Sequence, residues 1–152
     1  MSARIIALES WLYSWGAVGT IWGNYPIQGE WNLPAGMWAY FRARGEHWEL
    51  SVWAHPPRTP DESLPPDEAE IWCLRQRVPG ANLGALTPDA ACEFIWRGFS
   101  EYLRQSGTVD VYSIGLLKEV PPWSLRATTP SSGAATSIVW SPPVNKIDQE
   151  LE

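Results

Sequence analysis

The apolar positions of this chain change period along its length, and each change marks an element. Between residues 5 and 15, Ile5, Leu8, Leu12 and Trp15 recur at helical spacing while Arg4, Ser10 and Ser14 fall off the stripe, which predicts a short amphipathic helix. The pattern then dissolves: Gly16, Gly19, Gly23, Tyr25-Pro26 and Leu33-Pro34-Ala35-Gly36 make residues 16–36 read as loop or edge strand. Across residues 38–54 the period becomes two. Trp48, Leu50 and Val52 alternate with Glu49 and Ser51, and Phe41 sits between Tyr40 and Arg42, so a β-hairpin with Gly45 in its turn is expected. Trp53 is out of phase with Trp48, which puts aromatic side chains on both faces and makes one face a candidate binding surface.

Residues 54–69 hold five prolines and the carboxylates Asp61, Glu62, Asp67 and Glu68. Proline cannot donate to a β-ladder, so this stretch reads as an extended, exposed connection within one domain. Ile71, Trp72, Cys73 and Leu74 then predict a third strand over residues 70–76, stopped by Pro79-Gly80. Thr87-Pro88-Asp89 is a helix start: an N-cap hydroxyl, a proline at the first helical position, and a carboxylate near the positive end of the helix dipole. That helix should run to about Gln105. Ala91, Ile95, Phe99, Tyr102 and Leu103 line its apolar face with Cys92 and Trp96 beside them, while Glu93, Arg97, Glu101 and Arg104 form a charged, solvated face. Alternation at Val109, Val111 and Ser113 predicts a strand over residues 109–114, and Ser137-Ile138-Val139-Trp140 predicts another. The reading is one α+β domain over residues 1–145: a mainly antiparallel sheet of four to six strands, one principal amphipathic helix on a face, and long Pro/Gly-rich loops. Residues 146–152 read as a loose tail.

Composition sharpens this picture in two ways. The chain of 152 residues is long enough for one core without disulfide staples, and its 11 Trp, spread from Trp11 to Trp140, must fill that core or line a surface. Trp48, Trp72 and Trp96 lie in strand or helix patterns and read as core. Trp22, Trp31 and Trp123 lie among Gly and Pro and read as an interaction surface, where Trp is enriched. Formal net charge is −6 and the 11 Lys and Arg are dispersed along the sequence. A phosphate-tracking surface needs clustered positive charge, so the reading disfavours direct nucleic-acid and membrane binding and favours a protein partner with a basic surface.

Candidate chemistry is sparse. His47 and His55 have no nucleophile or orienting carboxylate at a recognisable spacing, so they read as surface or packing residues. Cys73 and Cys92 form no CxxC pair and have no nearby His, which argues against zinc and for two reduced thiols in a cytoplasm. Gly16, Gly19 and Gly23 match neither a dinucleotide nor a P-loop fingerprint, and no G-x-S-x-G is present. Pro57-Arg58-Thr59-Pro60 fits a P-x-x-P pattern but reads as a stiff turn. Glu9 breaks the N-terminal apolar run below signal-peptide length, so an unprocessed start is expected, and no stretch reaches the roughly 20 apolar residues of a membrane span.

No enzyme activity, cofactor or metal is therefore expected. The reading is a small acidic cytoplasmic inhibitor that occludes a partner's surface, such as a toxin-immunity protein, with Trp22, Trp31 and Trp123 as anchors. Asp61, Glu62, Asp67 and Glu68 would complement a basic site. The alternatives are a phage or mobile-element inhibitor of a host defence complex and an aromatic carbohydrate-binding module.

Overall fold

A computed structural model describes residues 2–23, 26–105, 122–123 and 147–151. The strands expected over residues 109–114 and 137–140 lie outside the described residues. The first helix, α1 (Ala3–Ser14), starts where Ser2 Oγ accepts the Ile5 N–H at 3.1 Å, and it buries Leu8 and Leu12. Five antiparallel strands follow in chain order: β1 (Val18–Trp22), β2 (Ile27–Asn32), β3 (Trp38–Arg44), β4 (His47–Trp53) and β5 (Glu70–Arg77). The second helix, α2 (Pro88–Gln105), begins with Thr87 Oγ1 accepting the Ala90 N–H at 3.1 Å, as its start signal requires. A last strand, β6 (Ile147–Leu151), runs parallel to β5. The protein is of the α+β class, with both helices on one face of the sheet.

The hairpin turn is where the alternation places it, with Gly45 at φ +60° between β3 and β4. Two elements differ from the sequence reading. Residues 16–36 read as loop or edge strand, and β1 is the edge strand, but the same stretch also supplies β2, an inner strand between β1 and β3. Within β2, Gly29 makes space: a Cβ there would stand 2.4 Å from the Trp31 indole, which lies over it. The tail expected to run loose from residue 146 instead carries β6. Without that pairing, β5 would present a row of unpaired backbone donors and acceptors.

One core lies between sheet and helices. Ile27, Trp31, Phe41, Trp48, Leu50, Trp72 and Leu74 point into it from the strands, and Leu8, Leu12, Ile95, Phe99 and Tyr102 from the helices. Aromatic rings meet edge to face, the arrangement their quadrupoles favour: Trp31 on Phe99 at 5.1 Å, Trp15 on Phe99 at 5.5 Å and Trp72 on Tyr102 at 5.0 Å. Trp48 and Trp72 also satisfy their indole N–H groups, on Gln76 Oε1 at 2.7 Å and Gln105 Oε1 at 3.0 Å. The charged face of α2 is solvated as its spacing implies, with Arg97 and Glu93 paired at 3.0 Å.

At Gly98 the helix lies close against the sheet. A Cβ there would stand 2.8 Å from Leu50 Cδ2 and 3.1 Å from Leu50 Cβ. Replacing glycine by alanine within a helix ordinarily stabilises by about 1 kcal/mol. Here Gly98→Ala should destabilise instead, by about 1–3 kcal/mol of overpacking, as read from the midpoint of urea unfolding. The same measurement should rank three tryptophan substitutions. Trp31 Nε1 has no acceptor among the described residues, so Trp31→Phe forfeits only packing, whereas Trp48→Phe and Trp72→Phe also lose a hydrogen bond of about 1 kcal/mol.

Candidate binding surface

Both described helices lie on one face of the sheet, and among the described residues no helix covers the other. Strand register arranges its side chains in cross-strand rows. Trp38 lies opposite Trp53; Tyr40 opposite Ser51, which faces Cys73; Arg42 opposite Glu49, which faces Arg75; and Arg44 opposite His47, which faces Arg77. The rows therefore run from aromatic at one end of the strands to basic at the other.

The aromatic end is a second, small apolar cluster of Trp38, Trp53 and Ala69. Trp38 stacks on Tyr40 with centroids 5.7 Å apart and planes 7° from parallel, and Trp53 Nε1 donates to Ser51 Oγ at 2.9 Å. Tyr40 donates its hydroxyl proton to Gln28 Oε1, and burial is the largest cause that raises its pKa. Trp38 and Trp53 are only 3% and 4% exposed, because the connection from β4 to β5 folds over them. That connection is the proline-rich stretch. The Ala54 N–H donates to Ala69 O at 2.7 Å and closes its neck, Pro65 is buried, and Glu62 Oε2 accepts the Arg58 N–H at 2.8 Å. Beside it, Pro56 and Pro57 form one wall of a groove of about 390 Å³ whose other wall carries Thr20, Glu30 and Asn32.

The basic end is built around the hairpin turn. Arg75 pairs with Glu49 at 3.1 Å and Arg77 with Glu46 at 3.0 Å. Glu46 also accepts the Gly80 N–H at 2.7 Å, and that backbone hydrogen bond, followed by Arg77, holds its carboxyl below the usual range. Leu83 N–H donates to Gly45 O at 2.7 Å, so the turn is fastened to the segment after β5. A groove of about 340 Å³ opens here, lined by Arg42, Arg44, His47, Trp48, Glu49 and Arg75. This corrects the reading of dispersed basic residues. Arg42 and Arg44 are more than thirty positions from Arg75 and Arg77 in the chain, and antiparallel pairing alone brings them together.

The residues picked out from sequence separate into three groups. Asp61, Asp67 and Glu68 are exposed and Glu62 half-buried, all on the proline connection. Trp22, on edge strand β1, is 38% exposed and tilts against Tyr40 at 6.5 Å. Trp31 is no surface anchor: at 1% exposure it is part of the core, where Gly29 makes room for its ring. Trp123 is half-buried against Trp96 at 6.2 Å, with the Arg4 guanidinium 4.8 Å above its ring, so it packs more than it presents. Trp48, Trp72 and Trp96 are core, as read.

His55 shares a hydrogen bond between Nδ1 and Pro56 O at 2.8 Å, and His47 lies in the basic groove. Among the described residues no group of three or more His, Cys, Asp or Glu is placed to hold a metal ion, and no helix is long and apolar enough to cross a membrane. No family model, curated protein or solved structure matches the chain.

Cys73 and Cys92 are both buried. Burial pushes the Cys92 thiol up to about 12, with the Asp89 charge adding to it, and the thiolate is the reactive form. Neither cysteine should react with an aromatic disulfide reagent at neutral pH while the chain is folded. Both should react promptly in denaturant; rapid labelling of the native protein would contradict this burial.

Proposed function

We propose that this chain is a small acidic cytoplasmic protein that inhibits a partner protein by covering its surface, in the manner of a toxin-immunity protein. The observation that carries this reading is the way Asp61, Glu62, Asp67 and Glu68 are displayed. They sit on a connection whose neck is hydrogen-bonded at Ala54 and Ala69, whose Pro65 is buried, and whose Ala69 packs against the Trp38 and Trp53 cluster. Carboxylates held this way lose little freedom on binding, so the cost of ordering the loop is largely met before the partner arrives. Leu64, 38% exposed between the two acidic pairs, supplies an apolar contact at the centre of the charge.

A net charge of −6 adds long-range attraction to a basic partner and repels polyanions, which supports a protein target over nucleic acid. Trp22 is the one remaining aromatic anchor of the three expected. Inhibition in this reading is steric and electrostatic, with no bond made or broken.

The test begins with affinity purification of the tagged chain from its source cells, followed by association kinetics with the partner recovered. A variant carrying Asp61→Asn, Glu62→Gln, Asp67→Asn and Glu68→Gln should associate about tenfold more slowly at low ionic strength and show a flatter salt dependence. Unchanged association by that variant would remove the acidic connection from the mechanism.

A further inference from the structure

We propose that the groove at the opposite end of the sheet is a second binding site, one that takes an extended, carboxylate-rich segment of a protein, with Arg42 and Arg44 receiving its carboxylates. The site stands apart from the acidic connection. That connection leaves β4 at Trp53, whereas the groove lies at the β3–β4 turn, about 20 Å away along seven-residue strands.

The two arginines differ from the other two beside them. Arg75 and Arg77 are engaged with Glu49 and Glu46, while no carboxylate among the described residues lies within ion-pair distance of Arg42 or Arg44. Both stand on the same strand and the same face, two residues apart, so their Cα atoms are separated by about 7 Å. An extended peptide presents every second side chain at that same repeat. Each guanidinium offers a planar fork that matches a carboxylate in bidentate fashion. The groove is also fixed in shape: the Glu46 bonds to Arg77 and Gly80 and the Leu83 bond to Gly45 hold the turn that forms its end.

A nucleic-acid backbone fits less well. Single-strand binders place open aromatic faces beside the positive groove, and here Trp38 and Trp53 are covered. Affinity for a polyanion also grows with the number of phosphates neutralised, and this groove offers two uncommitted arginines on a molecule of net charge −6, with Glu49 on its floor. A short acidic segment meets the arginines without exposing a long line of charge to that repulsion.

The experiment is fluorescence anisotropy of the full-length chain with a labelled peptide of alternating glutamate and serine, at low and at physiological salt. Saturable binding should appear at low salt and weaken as salt rises, and Arg42→Gln with Arg44→Gln should weaken it about tenfold or more. Glu49→Gln should tighten it, since that variant removes the one carboxylate that lines the groove among the described residues. Three results would overturn the proposal: no saturable binding of the peptide; equal binding by the double arginine variant; or tighter, equally arginine-dependent binding of a single-stranded oligothymidylate, which would assign the groove to phosphates. Arg44→Gln alone, at the exposed end of its strand, serves if the double variant has a lowered unfolding midpoint.

Discussion

The close contact of α2 with β4 at Gly98, where a Cβ would stand 2.8 Å from Leu50 Cδ2, limits how near that helix can lie to the sheet. Around it the layer is filled largely by aromatic rings, Trp31, Trp48 and Trp72 from the strands with Phe99 and Tyr102 from the helix. The abundance of tryptophan is therefore mainly a property of the layer between helices and sheet. Trp31 packs fully into that layer although its indole N–H has no acceptor among the described residues.

Because both helices are spent on one face, the other face carries the chain's remaining chemical character, and it is sorted by charge along the strand direction. Carboxylates gather where β4 leaves the sheet and guanidinium groups gather at the β3–β4 turn, with a covered aromatic cluster closer to the acidic end. Each end is stiffened by its own hydrogen bonds, the neck at Ala54 and Ala69 in one case and the Glu46 bonds in the other. The acidic connection and the arginine groove thus stand at opposite ends of the same strands, about 20 Å apart.

Local signals in the sequence were read well and relational ones poorly. The Thr87 cap, the Gly45 turn, the out-of-phase Trp53 and the Glu93–Arg97 pair each depend on residues within a few positions of one another, and each is found as read. The α+β class follows from those elements. Trp31 reads as surface because it lies among Gly and Pro, whereas the missing side chain of Gly29 is what lets its indole lie down in the core. The arginine groove was invisible because its members come from β3, β4 and β5, and only the antiparallel register converts distant positions into neighbours. Alternation on β3 did carry a usable hint: Arg42 and Arg44 share the phase of Tyr40, opposite to that of Phe41.

Strand order has a consequence for how the chain reaches this structure. From β1 to β5 every partner is the next strand along, so each pairing closes a modest loop and the contact order of that part stays low. The pairing of Trp72 with Ile147 is different, since it must wait for α2 and the length of chain beyond it to be gathered in. The low contact order of the antiparallel meander makes it the part whose pairings close at the smallest entropic cost, whereas the β5–β6 pairing closes the longest loop of the sheet. In the nascent chain, most of the sheet can assemble while the C-terminal strand is still being synthesised.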